Sequence, residues 1–420
     1  MKVSFITTSS LATNPRLVKE VIVAQDNFDE VEVVCFHLGN WSDHFDSKVS
    51  MLFKKHVNVI SISAVRKPLV PWFVTSVTEK GASVLYPYFK NSKLIAAIAS
   101  NKRSLLLLYF IKKYRLLKGA RLIVSHNLGA LYPACYYSEK YKIPFAFDVE
   151  DFHPGERIEK DVVNEKNRRE SLMKLLLRKA AVTTAASPLI SEEVRRLCGI
   201  QISTIRNSFY SSEFKLSALQ QEGPVKCVWF SQNISFGRGL EIFIDALDEF
   251  KSSVELTLIG NVDINFAKQY LEGRNYIKVL QPLEQTELHK ALSGYDVGLA
   301  LEVSIADLNR DLAESNKIYA YKQSGLFIIA TDTKAQEYFM RQFPDLGSLC
   351  RQSVDGLSKC LRSVVQNISD IRASKERRFH AAKSVAFEKE ALKLRQLWLS
   401  AINPKENEKN NYSITTFSSI

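Results

Sequence analysis

No apolar run in this 420-residue chain approaches the roughly 18–20 residues that cross a bilayer. The longest, Leu105–Ile111, is followed at once by Lys112 and Lys113. The start, MKVSFITTSS, has one Lys and no A-x-A-like cleavage site, and reads as a first β-strand rather than a secretory signal. Cysteine is scarce. Cys35, Cys135, Cys198, Cys227, Cys350 and Cys360 form no CxxC pair and show no Cys/His spacing suited to a metal. They read as small buried hydrophobes in a reduced compartment, which makes the chain cytoplasmic. A GxGxxG dinucleotide fingerprint is absent. The 46% hydrophobic content is close to the globular average and excludes disordered, fibrous and collagen-like chains. The length predicts two or three domains, at roughly 100–200 residues each.

Acidic residues are missing from one stretch above all. Lys48–Arg121 holds 15 Lys and Arg against the single acid Glu79, a net +14, whereas the whole chain carries +12. Pro71-Trp72-Phe73, Tyr86-Pro87-Tyr88-Phe89 and Leu105–Phe110 are interleaved with those cations. Basic groups beside aromatic and aliphatic ones suit an anionic membrane surface. The alternatives are a solvated basic face and a phosphate-binding face. No nucleic-acid motif accompanies the charge, so nucleic acid is not the expected partner.

Short β-branched runs alternate with amphipathic stretches. Strands are predicted at Lys2–Thr8, Val31–His37, Val57–Ser63, Arg121–Ser125, Ile143–Val149, Val182–Ala186 and Ile202–Arg206. A second series follows at Val225–Phe230, Val254–Ile259, Ile277–Leu280, Val297–Leu301 and Leu326–Thr331. Helices are predicted between them, among them Ser92–Leu117, Leu128–Tyr141, Pro188–Leu197 and Asn316–Gln323. Continuous apolar strands alternating with helices mean parallel sheets covered on both faces. The fold class is therefore α/β, with two doubly wound Rossmann-like domains. The first spans 1–207 and the second 208–385, with a polar linker near Asn207–Gly223. A helix at 386–402 follows, with Leu392, Leu394, Leu397, Trp398 and Leu399 as a docking face, and then a disordered tail at 403–420. Ligands of such sheets bind at the carboxyl ends of strands, here in the cleft expected between the domains.

Five segments place chemistry at those strand ends. Thr7–Ser10 and Asn14-Pro15-Arg16 join the first strand to the first helix, where free N–H groups favour an anion. His126, in Ser125-His126-Asn127, can donate to a sugar hydroxyl or exchange a proton, or it can be structural. Phe147–Glu156 gathers Asp148, Glu150, Asp151, Glu156 and His153 in one turn. Such carboxylates can orient hydroxyls, take a proton, or offset an oxocarbenium-like charge, unless they are merely solvated. Ser231–Gly239, with Gln232, Asn233 and Arg238, puts a guanidinium where a diphosphate would rest, although Glu241 is positioned to pair with it. Glu314-Ser315-Asn316-Lys317 precedes a buried strand, and a Lys in the first turn opposes the helix dipole. That mismatch favours an anion-facing Lys317.

In order and spacing these segments resemble the GT-B glycosyltransferases of the large retaining family 4 over most of residues 1–400. FSQNISFGRGLEIFIDAL and SNKIYAYKQSGLFIIATD carry most of the likeness, with NPR, SHNLGALYPA, FDVEDFHPGE and TTAASPLISEEVRRLCG in support. The resemblance implies transfer of a sugar from a nucleotide diphosphate sugar to a lipid-linked or surface polysaccharide acceptor, with retention. It implies no cofactor and no metal, because Arg238 and Lys317 would hold the diphosphate. Glu314, Asn316, Asn233 and Gln232 would complete the donor site. Glu150, Asp151 and His126 would serve catalysis, with Asn14, Arg16 and His153 on the acceptor side. The loop after the first strand is Ser/Thr-rich where relatives are usually Gly-rich, and Ala320 stands where they carry a Glu. A non-catalytic partner subunit, or a nucleotide-sugar epimerase, would share the architecture.

Overall fold

The computed structural model describes residues 1–40, 42–65, 69–217, 222–304 and 307–404. The expected tail from 405 onward lies outside the described residues. The chain divides into two compact units, Met1–Ile205 joined by the chain from Ala391 on, and Arg206–Glu390.

The first unit is built on seven strands: β1 (Lys2–Thr7), β2 (Glu30–His37), β3 (Val57–Ser63), β4 (Ala120–His126), β5 (Phe145–Val149), β6 (Val182–Ala185) and β7 (Ser203–Thr204). Their order is β3-β2-β1-β4-β5-β6-β7 and the pairings are parallel. Val3, Phe5, Val33, Ile123, Val124 and Phe147 are wholly buried, as strands covered on both faces require. Trp398, on the helix Phe387–Ile402, packs edge-on against Phe5, with ring centroids 5.8 Å apart. Leu394 and Trp398 are buried, while Leu392 faces solvent and takes no part in the docking face expected of it.

The second unit has six strands: β8 (Val225–Ile234), β9 (Val254–Val262), β10 (Ile277–Leu280), β11 (Val297–Ala300), β12 (Phe327–Thr331) and β13 (Gly347–Cys350), in the order β10-β9-β8-β11-β12-β13. Both sheets are thus doubly wound. In each, the order reverses between the first strand and the fourth, which leaves a crevice at the carboxyl ends of β1/β4 and of β8/β11.

Several expectations are corrected. Ser92–Leu117 is two helices, Lys93–Ser100 and Lys102–Lys113, bent by 112°. Asn101 breaks them, because its extended backbone and side-chain oxygen cap the second helix at Arg103 N, 2.9 Å away. Gln232 and Asn233 lie on β8 rather than in a loop. The strand runs past an irregularity between Phe230 and Asn233, where Gly260 lets the β9 backbone approach Ser231. A Cβ at Gly260 would sit 2.2 Å from the Ser231 carbonyl oxygen. The start of the expected linker is core: Phe209 and Phe214 join the cluster of Tyr319, Tyr321 and Phe339. The Phe209 backbone exchanges hydrogen bonds with the Gln323 amide, at 2.9 and 2.7 Å. Finally, Cys350 and Cys360 are joined as a disulfide, because β13 ends against the middle of the helix Val354–Gln366; the other four cysteines are free and buried.

Candidate functional site

In the first unit, strand register sets one transverse row at the carboxyl edge. Thr7 pairs with His126, His126 with Asp148, and Asp148 with Thr184. The helix Pro15–Gln25 lies over this row, and Arg16 and Glu20, four residues apart, share one face of it. Asn14 caps that helix, accepting from Leu17 N at 3.0 Å, with Pro15 in the first turn. Arg16 grips Asp148 through two bonds of 2.5 and 2.8 Å. Asp148 also accepts from Thr184 Oγ1 at 2.5 Å. His126 Nε2 lies 3.1 Å from Glu20 Oε2, and Nδ1 lies 3.7 Å from Asp148.

All four charged groups are buried. Burial opposes the charge on Asp148, but Arg16 outweighs it and holds the carboxyl below its usual range. Burial likewise opposes a proton on His126, which Glu20 and Asp148 nevertheless push up. Burial raises Glu20, and the His126 charge opposes that rise. Arg16, Asn14 and His126 therefore sit beneath the edge rather than at its rim. Above them Asn127 adopts a left-handed φ of 66°, and its side-chain oxygen accepts from Thr7 Oγ1 at 2.5 Å. A non-glycine residue held in that region stores strain, as functional sites often do.

The rim is formed by the segment after β5. Glu150 is half-buried, and burial, then Asp151 and Asp148, push it up to about 7. It is therefore a carboxyl able to accept and return a proton near neutral pH. His153 is buried, with Nδ1 3.4 Å from Glu156 Oε1 and Nε2 without a hydrogen-bond partner among the described residues. Arg169 ties the turn down, donating to the His153 carbonyl at 2.8 Å and to Glu156 at 2.7 Å.

In the second unit the β8/β11 crevice is lined by cations and open helix ends. The helix Leu240–Leu247 begins at Gly239, which takes φ 76° and provides no side-chain cap. A Cβ at Gly239 would lie 3.2 Å from Leu301 Cβ, so this loop sits against the end of β11. Arg238 lies within it and has no ion-pair or hydrogen-bond partner among the described residues. Glu241, expected as a competitor for Arg238, instead accepts from Gly237 N at 2.5 Å. The helix Asn316–Gln323 also begins without a side-chain cap, and Ser315 Oγ has no partner among the described residues. Asn316 is exposed there, as are Gln232 and Asn233 on β8.

Lys317 Nζ is 2.8 Å from Glu302 Oε1 and 5.7 Å from the centroid of the Trp229 ring. Trp229 is buried and its indole nitrogen has no hydrogen-bond partner among the described residues. Glu314 is buried too; it accepts from the Tyr319 hydroxyl and lies 3.8 Å from Arg206. Burial pushes Glu314 up to about 7, against the Tyr319 bond and the Arg206 charge. Two open helix N-termini, a free guanidinium and an ammonium at one crevice make a seat for an anion with two charged groups. No group of three His, Cys, Asp or Glu is placed to hold a metal among the described residues.

Glu302, Trp229, Glu20, Thr184 and Asn127 were not singled out from the sequence. Only Asn127, which adjoins His126 at a strand end, carried a local signal.

No family model matches the chain, and no curated protein matches it by sequence. Solved structures do resemble it. Anabaena HepE in complex with UDP superposes with a TM-score of 0.66 at 14% identity, covering 95% of this chain and 100% of that one. Sucrose-phosphate synthase from Thermosynechococcus elongatus gives 0.63 at 13% identity, covering 95% and 98%. S. aureus TarM, in complex with fondaparinux, α-GlcNAc-glycerol and UDP, gives 0.62 at 11% identity, covering 96% and 100%. The fold is GT-B. At these identities the likeness is one of GT-B fold, and the activity has to be argued from the site.

Proposed function

We propose that the chain is a glycosyltransferase that moves a hexosyl group from a nucleotide diphosphate sugar to a glycan or lipid-linked acceptor, with retention and without a metal. The observation that carries this reading is the pair of cations, Arg238 and Lys317, beside two uncapped helix N-termini at the β8/β11 switch point. Similar folds solved with UDP support it. In the reaction the bond between the anomeric carbon and the diphosphate oxygen breaks. The diphosphate leaves with the electron pair, and fixed cations stabilise the charge where it develops. The acceptor oxygen bonds to the same carbon, and its proton is lost. Glu150, with its carboxyl near 7, is the group of the first unit suited to that proton, and Asp151 and His153 border it.

The second-unit donor set is Arg238, Lys317, Asn316, Glu314, Asn233 and Gln232; Glu302 and Trp229 flank Lys317, Glu302 as the partner that the diphosphate would displace. The acceptor belongs to the first unit, whose basic Lys48–Arg121 stretch suits the inner, anionic surface of a membrane where a lipid-linked or lipopolysaccharide acceptor would lie. The test is incubation of the purified chain, with EDTA present, with a panel of nucleotide sugars and membrane lipid extract. Label transferred to the lipid fraction is expected. Alteration of the sugar without an acceptor would indicate an epimerase, and no turnover of any donor would indicate a non-catalytic subunit.

A further inference from the structure

The helix Leu69–Leu85 is packed inside out. Its inward positions are small, with Thr75 and Ala82 buried beside Tyr86, which follows the helix. Its outward positions are large and apolar: Val70, Phe73, Val77 and Val84 are 72, 63, 52 and 70% exposed. Spaced by three, four and seven residues, these fall on one stripe, and Tyr88, in the turn after the helix, is 81% exposed. A helix solvated by water shows the opposite pattern, and an apolar face of this kind, broken at Lys80 and Gly81, marks an interaction surface.

The helix also has little need of water. Thr75, Thr78 and Ser83 donate to the carbonyls of Pro71, Val74 and Glu79, at 2.8, 2.8 and 2.9 Å. These hydroxyls are thus satisfied within the helix, as an apolar environment demands. Glu79, the one acid between Lys48 and Arg121, is turned to Lys102 at the start of the neighbouring helix Lys102–Lys113.

Exposed cations lie on this helix, after it and at the end of the neighbouring helix, and aromatic rings pack between the two. Lys80, Lys90, Lys112 and Lys113 are exposed. Trp72 lines an apolar hollow with Leu106 and Phe110, and Phe110 stacks on Tyr114 at 5.7 Å. Lys113 Nζ lies 5.6 Å from the Tyr109 ring and 5.3 Å from that of Tyr114.

We infer that Leu69–Leu85, with Tyr88 and Phe89, lies in the surface of an anionic lipid bilayer, its stripe among the acyl chains and these cations at the headgroups. This rests on the membrane reading above and names the element that enters. At 17 residues the helix is short for a span, and among the described residues no single helix is long and apolar enough to cross. A second copy of the chain is the poorer occupant, because it would bring one +14 stretch against another.

The test places a polarity-sensitive fluorophore on Val77→Cys of the full chain, the free cysteines being buried. It is then mixed with phosphatidylglycerol vesicles carrying nitroxides at shallow or deep acyl positions. The inference predicts a blue shift, quenching strongest from the shallow nitroxide, and at least tenfold weaker vesicle binding in Phe73→Ser/Val77→Asn. Vesicle binding with the label still in water would overturn the insertion and leave electrostatic attachment standing. No binding to anionic vesicles would overturn both. Burial of the label in a lipid-free dimer, seen by light scattering, would assign the face to a second copy.

Discussion

Asp148→Asn tests whether the buried row in the first unit holds that unit together. The substitution keeps the shape of the side chain and removes its charge. It leaves Arg16, bonded at 2.5 and 2.8 Å and almost wholly buried, without its directly bonded counter-ion, Glu20 and Glu150 acting on it only through space. Breaking a buried ion pair by removing one partner costs about 3–5 kcal/mol. For a unit of this size each kcal/mol lowers Tm by roughly 2–4 °C, so calorimetry should show the first unit melting roughly 6–20 °C lower. The transition of Arg206–Glu390 should not move. The sign of the pH dependence follows from the Asp148 pKa, which is held below its ordinary value. Its stabilising contribution is present at neutral pH and is lost as pH falls through the depressed folded value. The gap between wild type and variant should therefore be constant above the ordinary carboxylate range and close in acid. A loss of Tm under about 2 °C at pH 7 would refute the reasoning, since it would mean that Arg16 finds water or another partner at little cost.

Glu314 is raised to about 7, so between the ordinary value of 4.5 and 7 the folded chain keeps a proton that the unfolded chain has lost. It therefore withdraws stability as pH rises, and Glu314→Gln should regain on the order of 2 kcal/mol at pH 8 relative to pH 5; identical Tm differences at the two pH values would contradict this. Glu302→Gln frees Lys317 from its 2.8 Å partner. Titration calorimetry should then show several-fold tighter binding of a nucleoside diphosphate, and weaker binding would make Glu302 a ligand contact instead. Neutralising Lys112, Lys113, Arg115 and Lys118 together should release the chain from anionic vesicles, at about 1 kcal/mol per cation near the surface. Unchanged sedimentation with vesicles would remove the electrostatic part of the attachment.

Both sheets were legible because each central strand is an unbroken apolar run, and burial on two faces demands that pattern. Asn14, His126, Glu150, Arg238 and Lys317 were legible as candidates because they sit where strands end and helices begin. What these residues touch was not. The partners Asp148, Glu20 and Thr184 meet only through the register of three strands and one helix turn, and sequence spacing does not carry that register. Glu302 was hidden for the same reason: it reaches Lys317 across the edge of the sheet, fifteen residues away. The helix Leu69–Leu85 escaped because its apolar side faces outward. The strand Gly347–Cys350, with only four residues, gives too short a pattern to separate from a loop.

The central claim is a nucleotide-diphosphate seat in Arg206–Glu390, and thermal shift with UDP, GDP, ADP and CMP tests it most directly. One nucleotide at roughly 100 times its dissociation constant should add about 2.7 kcal/mol to the stability of the wild type. The account predicts that this shift disappears in Lys317→Ala. A shift of equal size in that variant, or none with any nucleotide in the wild type, would contradict it.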